Sequence, residues 1–304
     1  MIKKQTWFGV LLFALVLFFV ALFLFRNLEE VIHYDFPFKW PPLGISFVVV
    51  SMAYLSVFCI WIKLTESFGI EAPLLIAGKA WFLSQLGKYV PGKVALLLVR
   101  FNIYHGCSKR KITAATGIEF IAMLAATSFL VLLALSTTAR YIPVHIRWVA
   151  GGGALLLTIL LCSHFSIRSF NWGLKLFNRD PIEEYPASHQ LLRFVGAYMF
   201  AGLLQGLGLF LVLSSFSPIE FRNYLAITGA YLAASLAGIV AVFAPSGLGV
   251  REGVLFLVLP VFMPRPAVIV GTLVIRLIST LVELMFAALV VAAEKIFLGK
   301  REEQ

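Results

Sequence analysis

Charge is scarce in this chain. Only 13% of its 304 residues are Asp, Glu, Lys or Arg, and 61% are hydrophobic. Soluble domains carry about 25% charged and about 45–50% apolar residues. The balance excludes a soluble core and points to an all-α, polytopic membrane protein forming a single domain over residues 1–304. Cysteine is scarce as well. Cys59, Cys107 and Cys162 are odd in number and far apart, which excludes a disulfide framework and any Cys-based metal spacing. The five histidines, His33, His105, His145, His164 and His189, are equally scattered. No HExxH, no nucleotide-binding motif and no Ser/His grouping occurs in the apolar stretches, so neither a metal, a cofactor nor a catalytic residue is expected, and the chain is not read as an enzyme.

What is present is a series of apolar runs of spanning length, roughly 17–25 residues. Lys3 and Lys4 precede Trp7–Phe25, read as an uncleaved first span because it lacks the short core and small-residue cleavage site of a signal peptide. Leu43–Ile62, Ile112–Leu135, Trp148–Phe165, Leu191–Phe216, Tyr224–Phe243 and Ala267–Ala293 follow, with Val254–Met263 short for a crossing. Ser166–Arg193 is the longest polar stretch. Its mixture of Phe170, Trp172, Leu174, Leu176 and Phe177 with Arg168, Lys175 and Arg179 predicts a short helix lying on the inner surface. In Leu191–Phe216, Gly196, Gly202, Gly206 and Gly208 offer faces for close helix packing.

Two places break this pattern. Pro73–Leu86 and Val94–Tyr104 are half-length apolar pieces on either side of Gly87-Lys88-Tyr89-Val90-Pro91-Gly92-Lys93, the pattern of a re-entrant hairpin. Later, Ala244-Pro245-Ser246-Gly247-Leu248-Gly249-Val250-Arg251-Glu252-Gly253 interrupts one of the most apolar regions. Pro245 removes a backbone donor, and Gly247, Gly249 and Gly253 disfavour a continuous helix. Non-helical backbone at membrane depth persists only where it is buried in protein or lines a wet cavity. The helix breaks are placed at Pro91 and Gly92 and at Pro245, Gly247 and Gly249. Each half of the chain has two spans, a Pro/Gly break with basic residues, and a span with an embedded acid, which reads as an internal repeat and as a pointer to a transport site.

Basic residues divide three ways. Thirteen fall in segments assigned to the inside (Lys3, Lys4, Lys63, Lys109, Arg110, Lys111, Arg168, Lys175, Arg179, Arg193, Lys295, Lys300, Arg301). Six fall outside (Arg26, Lys39, Arg140, Arg147, Arg222, Arg265). This bias puts both termini in the cytoplasm, provided Val254–Met263 crosses. The remaining six of the 25, Lys79, Lys88, Lys93, Arg100, Arg251 and Arg276, lie at membrane depth with Glu119, Glu252 and Glu283. Charges there are expensive unless paired or hydrated. Lys93 and Arg100 are seven apart, as are Arg276 and Glu283, so each pair shares a helix face. Arg251 and Glu252 are adjacent and diverge, so at least one needs a partner elsewhere. Helix N-termini opened by Gly92 and Gly249 would add backbone donors for an anion. The plainer alternatives are that Lys79, Lys88 and Lys93 snorkel to the interface, and that Glu119, Arg276 and Glu283 form a network that only holds helices together.

At these residues the sequence resembles the transmembrane domain of the lysylphosphatidylglycerol synthase/flippase family. The resemblance is carried by Gly87 to Lys93, Gly117-Ile118-Glu119, Pro245 to Gly253, and Arg276 with Glu283, and Ser246 stands where a glycine is expected. It implies a bundle of about eight helices with re-entrant segments in the bacterial inner membrane. It also implies a lipid flippase or transporter whose two broken segments meet near the bilayer centre. Because the chain stops at Gln304 without a synthase domain, aminoacyl transfer is not implied. Lys93, Arg100, Arg251 and Arg276 are expected to hold a headgroup phosphate, with Glu119, Glu252 and Glu283 balancing them or meeting a cationic group. The expected partners are a membrane lipid with an anionic or zwitterionic headgroup and envelope-synthesis enzymes, not nucleic acid. The alternative reading is a non-transporting scaffold for cell-envelope lipid or polysaccharide synthesis.

Overall fold

The computed structural model describes residues 14, 18–19, 21–22, 25–26, 28–89, 94–137, 152–153, 156, 158–160, 165–176, 180–241 and 245–302. Among them all regular structure is helical. In chain order the α-helices are α1 (Leu28–Ile32), α2 (Trp40–Glu66), α3 (Leu74–Leu86), α4 (Val94–Ile103), α5 (Lys109–Thr137), α6 (Phe165–Leu176), α7 (Ser188–Phe216), α8 (Tyr224–Val240), α9 (Val250–Val258) and α10 (Arg265–Glu302). Five segments are long and apolar enough to cross a membrane: Trp40–Glu66, Lys109–Ser136, Ser188–Phe216, Phe221–Val240 and Arg265–Ile296. This is the architecture of a multi-pass membrane protein.

Most of the expected spans Trp148–Phe165 and Trp7–Phe25 lies outside the described residues. The segment Val254–Met263 differs from a crossing helix. It forms the end of the nine-residue α9, followed by a 3-10 turn at Leu259–Val261. Nine residues rise only about 14 Å, under half of a hydrocarbon core about 30 Å thick. Pro260 accounts for the stop, since it cannot donate to the preceding turn. The amphipathic segment is helical over Phe165–Leu176, with Trp172 exposed.

Helix α7 is the hub, packing on α2, α5, α8 and α10. Its glycines explain how four partners fit. A Cβ at Gly202 would meet Leu130 of α5 at 2.7 Å, and one at Gly208 would meet Val50 of α2 at 2.6 Å. A Cβ at Gly206 would collide with Thr228 of α8. Gly196 differs from the expectation, for nothing approaches it within 4 Å. Without a hydrophobic driving force between helices in lipid, such close approach is a main source of cohesion. The buried side chains form two main clusters. One gathers Trp61, Phe68, Trp81, Phe82 and Ile112 around α2, α3 and α5, and the other gathers Leu209, Leu213, Ile227, Leu255 and Ile275 around α7 to α10.

Both sequence breaks are real interruptions. Helices α3 and α4 pack against each other, joined through a 3-10 turn at Gly87–Tyr89. A Cβ at Gly87 would lie 2.7 Å from the Leu96 backbone nitrogen, so only glycine lets the turn sit against α4. Pro91, Gly92 and Lys93 lie outside the described residues. At the second break Ser246, Gly247 and Gly249 all have positive φ (52°, 68° and 83°). Ser246 thus occupies the left-handed region that favours glycine. The two turns, Gly87–Tyr89 and Pro245–Gly247, touch each other.

Candidate functional site

The meeting point of the two breaks opens onto a cavity of about 260 Å³. It is walled by α2, α3, α5, α7, α8, α9 and α10 and holds Lys88, Glu119, Arg251, Glu252, Arg276 and Glu283 together with Tyr54, Tyr89, Tyr198 and Tyr231. The charges come from distant parts of the sequence, and how they pair determines what the cavity can do.

Glu283, on α10, is buried and accepts from three donors: Lys88 Nζ, Tyr54 Oη, and Tyr89 Oη at 3.2 Å. Lys88 and Tyr89 belong to the Gly87–Tyr89 turn, so this carboxylate ties the tip of the α3–α4 hairpin to α10. One helical face carries both Glu283 and Arg276, as the seven-residue spacing requires. Arg276, however, turns to the other break. Its Nη1 lies 3.5 Å from Glu252 Oε1, and its Nη2 donates to the Ser246 carbonyl at 3.2 Å. Glu252 also reaches back to accept from the Gly249 amide at 2.9 Å. That amide, expected to be open to an anion, is satisfied by the chain's own capping carboxylate.

Arg251 stands apart. Its neighbour Glu252 faces Arg276, and among the described residues Arg251 forms no ion pair. It donates to the Ser235 hydroxyl on α8 and lies over the Tyr231 ring, 5.4 Å from its centroid. Its stem runs in a slot made by two glycines. A Cβ at Gly238 would meet Arg251 Cγ at 2.7 Å, and one at Gly247 would meet it at 3.1 Å. The backbone of the break therefore fixes where this guanidinium sits.

Arg100 does not line the cavity. It lies behind the wall, fully buried, and donates through Nη1 to Glu119 (2.6 Å) and Thr116 (2.9 Å) and through Nε to Ser84 (3.1 Å), while its Nη2 has no partner among the described residues. Its guanidinium is stacked 3.7 Å from the centroid of the Trp61 ring. Glu119, which also accepts from Trp81 Nε1 at 3.1 Å, is the cavity-facing member of that pair. Lys93, the other cation expected on this face, lies outside the described residues. Lys79 pairs with Glu294 of α10 at 2.6 Å, away from the cavity.

Counting the pairs closes the electrostatics. Lys88, Arg100, Arg251 and Arg276 stand against Glu119, Glu252 and Glu283, and each carboxylate is taken by a cation other than Arg251. Among the described residues the cavity keeps one cation, Arg251, outside an ion pair. Among the described residues it also holds two buried donors without partners, the Tyr198 hydroxyl and Arg276 Nε. Sequence reasoning missed Lys88 as a site residue, and missed Tyr54, Tyr89, Tyr198, Tyr231 and Gly238 altogether. The signals for Lys88 were its place in the Pro/Gly break and its position among the six basic residues at membrane depth. Among the described residues no three His, Cys, Asp or Glu side chains gather to hold a metal ion. Neither a protein-family model nor a curated protein matches the chain.

Proposed function

We propose that this protein moves a lipid headgroup between leaflets through the charged cavity, its acyl chains remaining in the bilayer. The observation that carries this reading is Arg251, a cation fixed by the break and left without a carboxylate in a cavity at membrane depth. A guanidinium in such a place is costly unless an anion joins it. A lipid phosphate supplies that anion, and the hydroxyls of Tyr198 and Tyr231 are suited to its oxygens. Glu119 and Glu283 offer the opposite charge to a cationic or zwitterionic headgroup.

On this reading the α3–α4 hairpin is re-entrant, and the full bundle has about eight helices with an internal repeat. The membrane is a bacterial inner membrane with the N-terminus cytoplasmic, and a cytoplasmic C-terminus requires the second break and α9 together to make one crossing. Support comes from the pairing of two half-length helices around a Pro/Gly break and from the resemblance of both breaks to those of the lysylphosphatidylglycerol synthase/flippase family. The chain's own residues do no bond chemistry here. They hold a headgroup and exchange its charges for their own.

Reconstitution into vesicles with a fluorescent phospholipid, and dithionite quenching of the outer leaflet, tests this. The parent protein accelerates leaflet exchange and Arg251→Ala abolishes it while the protein remains folded. Equal exchange rates in the two would overturn the assignment.

A further inference from the structure

The helices that wall the cavity carry a second feature on their opposite side. An open groove runs along the seam of α2 and α7, separate from the cavity. The two helices are antiparallel, because Val50 meets Gly208 near one end while Lys63 and Arg193 share the groove near the other. On α2, Tyr54 and Val57 face the cavity, whereas Met52, Leu55 and Cys59 line the groove.

The groove is polar at one end and apolar at the other. Lys63, Glu66 and Arg193 stand at the end where α2 finishes and α7 begins, and Met52, Leu55 and Phe200 line the remainder. Lys63 is taken by Glu66 at 2.8 Å. Arg193 is exposed and forms no ion pair among the described residues. From Met52 to Glu66 the helix rises about 21 Å, half the thickness of a bilayer of about 40–45 Å with its headgroup regions. The depth of one leaflet, a single unpaired guanidinium at the headgroup level and bare Met, Leu and Phe below it match one class of molecule.

We propose that the α2–α7 groove is a binding site for a single anionic phospholipid, its phosphate on Arg193 and an acyl chain against Met52, Leu55 and Phe200. The site is independent of the cavity and holds whether or not the cavity transports. Charge complementarity selects the occupant. The polar end has two cations and one carboxylate, so a lipid with a net negative headgroup completes it and a zwitterionic one does not.

Cys59, exposed in the groove, gives a local reporter. The full chain carrying Cys107→Ser and Cys162→Ser is labelled at Cys59 with bimane. It is then reconstituted into vesicles containing brominated phosphatidylglycerol or brominated phosphatidylcholine. Quenching measures which lipid occupies the groove. Phosphatidylglycerol should be preferred about fivefold, the effect of one basic residue near an anionic headgroup. Arg193→Gln should bring the ratio close to one, Arg193→Lys should retain most of it, and Arg251→Ala should leave it unchanged. Equal quenching by the two lipids in the parent, or a preference that survives Arg193→Gln, would overturn the proposal. Loss of the preference in Arg251→Ala would do so too, by moving the lipid to the cavity.

Discussion

Two arginines near the two breaks, Arg100 and Arg251, start from similar sequence surroundings and end in opposite situations. Arg100 is buried against a carboxylate, two hydroxyls and an indole face. Arg251 has a serine hydroxyl and a tyrosine ring and, among the described residues, no carboxylate partner. The difference arises one residue away. Glu252 follows Arg251 directly and is turned by the helix toward Arg276 and the Gly249 amide. Glu119 comes from a separate helix and can approach Arg100 head-on. One arginine is part of the wall, and the other is part of what the wall encloses.

The largest expected effect tests the wall. Arg100→Ala leaves Glu119 buried without its cation, and should cost about 3–5 kcal/mol of stability, read as a lowered unfolding midpoint in detergent. Arg251→Ala, measured the same way, should leave stability unchanged or raised, since an uncompensated charge is removed from membrane depth. If both substitutions destabilise alike, the contrast between the two arginines is broken.

A smaller effect is expected at Gly206. Gly206→Val drives a side chain into Thr228 where α7 crosses α8, and should cost about 1–3 kcal/mol by overpacking. Gly196→Val should cost much less, because that position is open. Thermal unfolding of the two variants side by side sharpens the distinction between packing glycines and incidental ones.

The smallest effect concerns the ring under Arg251. Tyr231→Leu keeps the volume approximately and removes a cation–π contact worth about 0.5–2 kcal/mol. Leaflet exchange should slow by several-fold without stopping. An exchange rate equal to that of the parent would mean that the ring does not help to hold the guanidinium in its working position.

Much of the fold could be read from the sequence because lipid imposes a strong one-dimensional constraint. A helix such as α2 declares itself by an unbroken apolar run, and the breaks declare themselves through Pro245, Gly247 and Gly249. The site was legible only as a set of charges that had to be accommodated. Spacing identifies residues on one helix face, as for Arg276 and Glu283, but not the depth of that face behind a neighbouring helix. Arg100 therefore looked like a cavity residue and Lys88 like a snorkelling one, when Arg100 is buried behind the wall and Lys88 lines the cavity. The tyrosines escaped notice because a lone tyrosine in an apolar run looks the same whether it meets lipid or Glu283. Gly238 escaped because its partner is the stem of Arg251, which only tertiary packing brings near.

The ties between the α3–α4 hairpin and α10 have a consequence for how the protein is made. Lys88 and Lys79 find their acids at Glu283 and Glu294, 195 and 215 residues later. As the nascent polypeptide leaves the ribosome, the hairpin must wait with two unneutralised ammonium groups until almost the whole message has been translated. Only the arrival of the final helix lets it settle, so a product shortened before Glu283 would present those lysines to the quality-control proteases of the membrane.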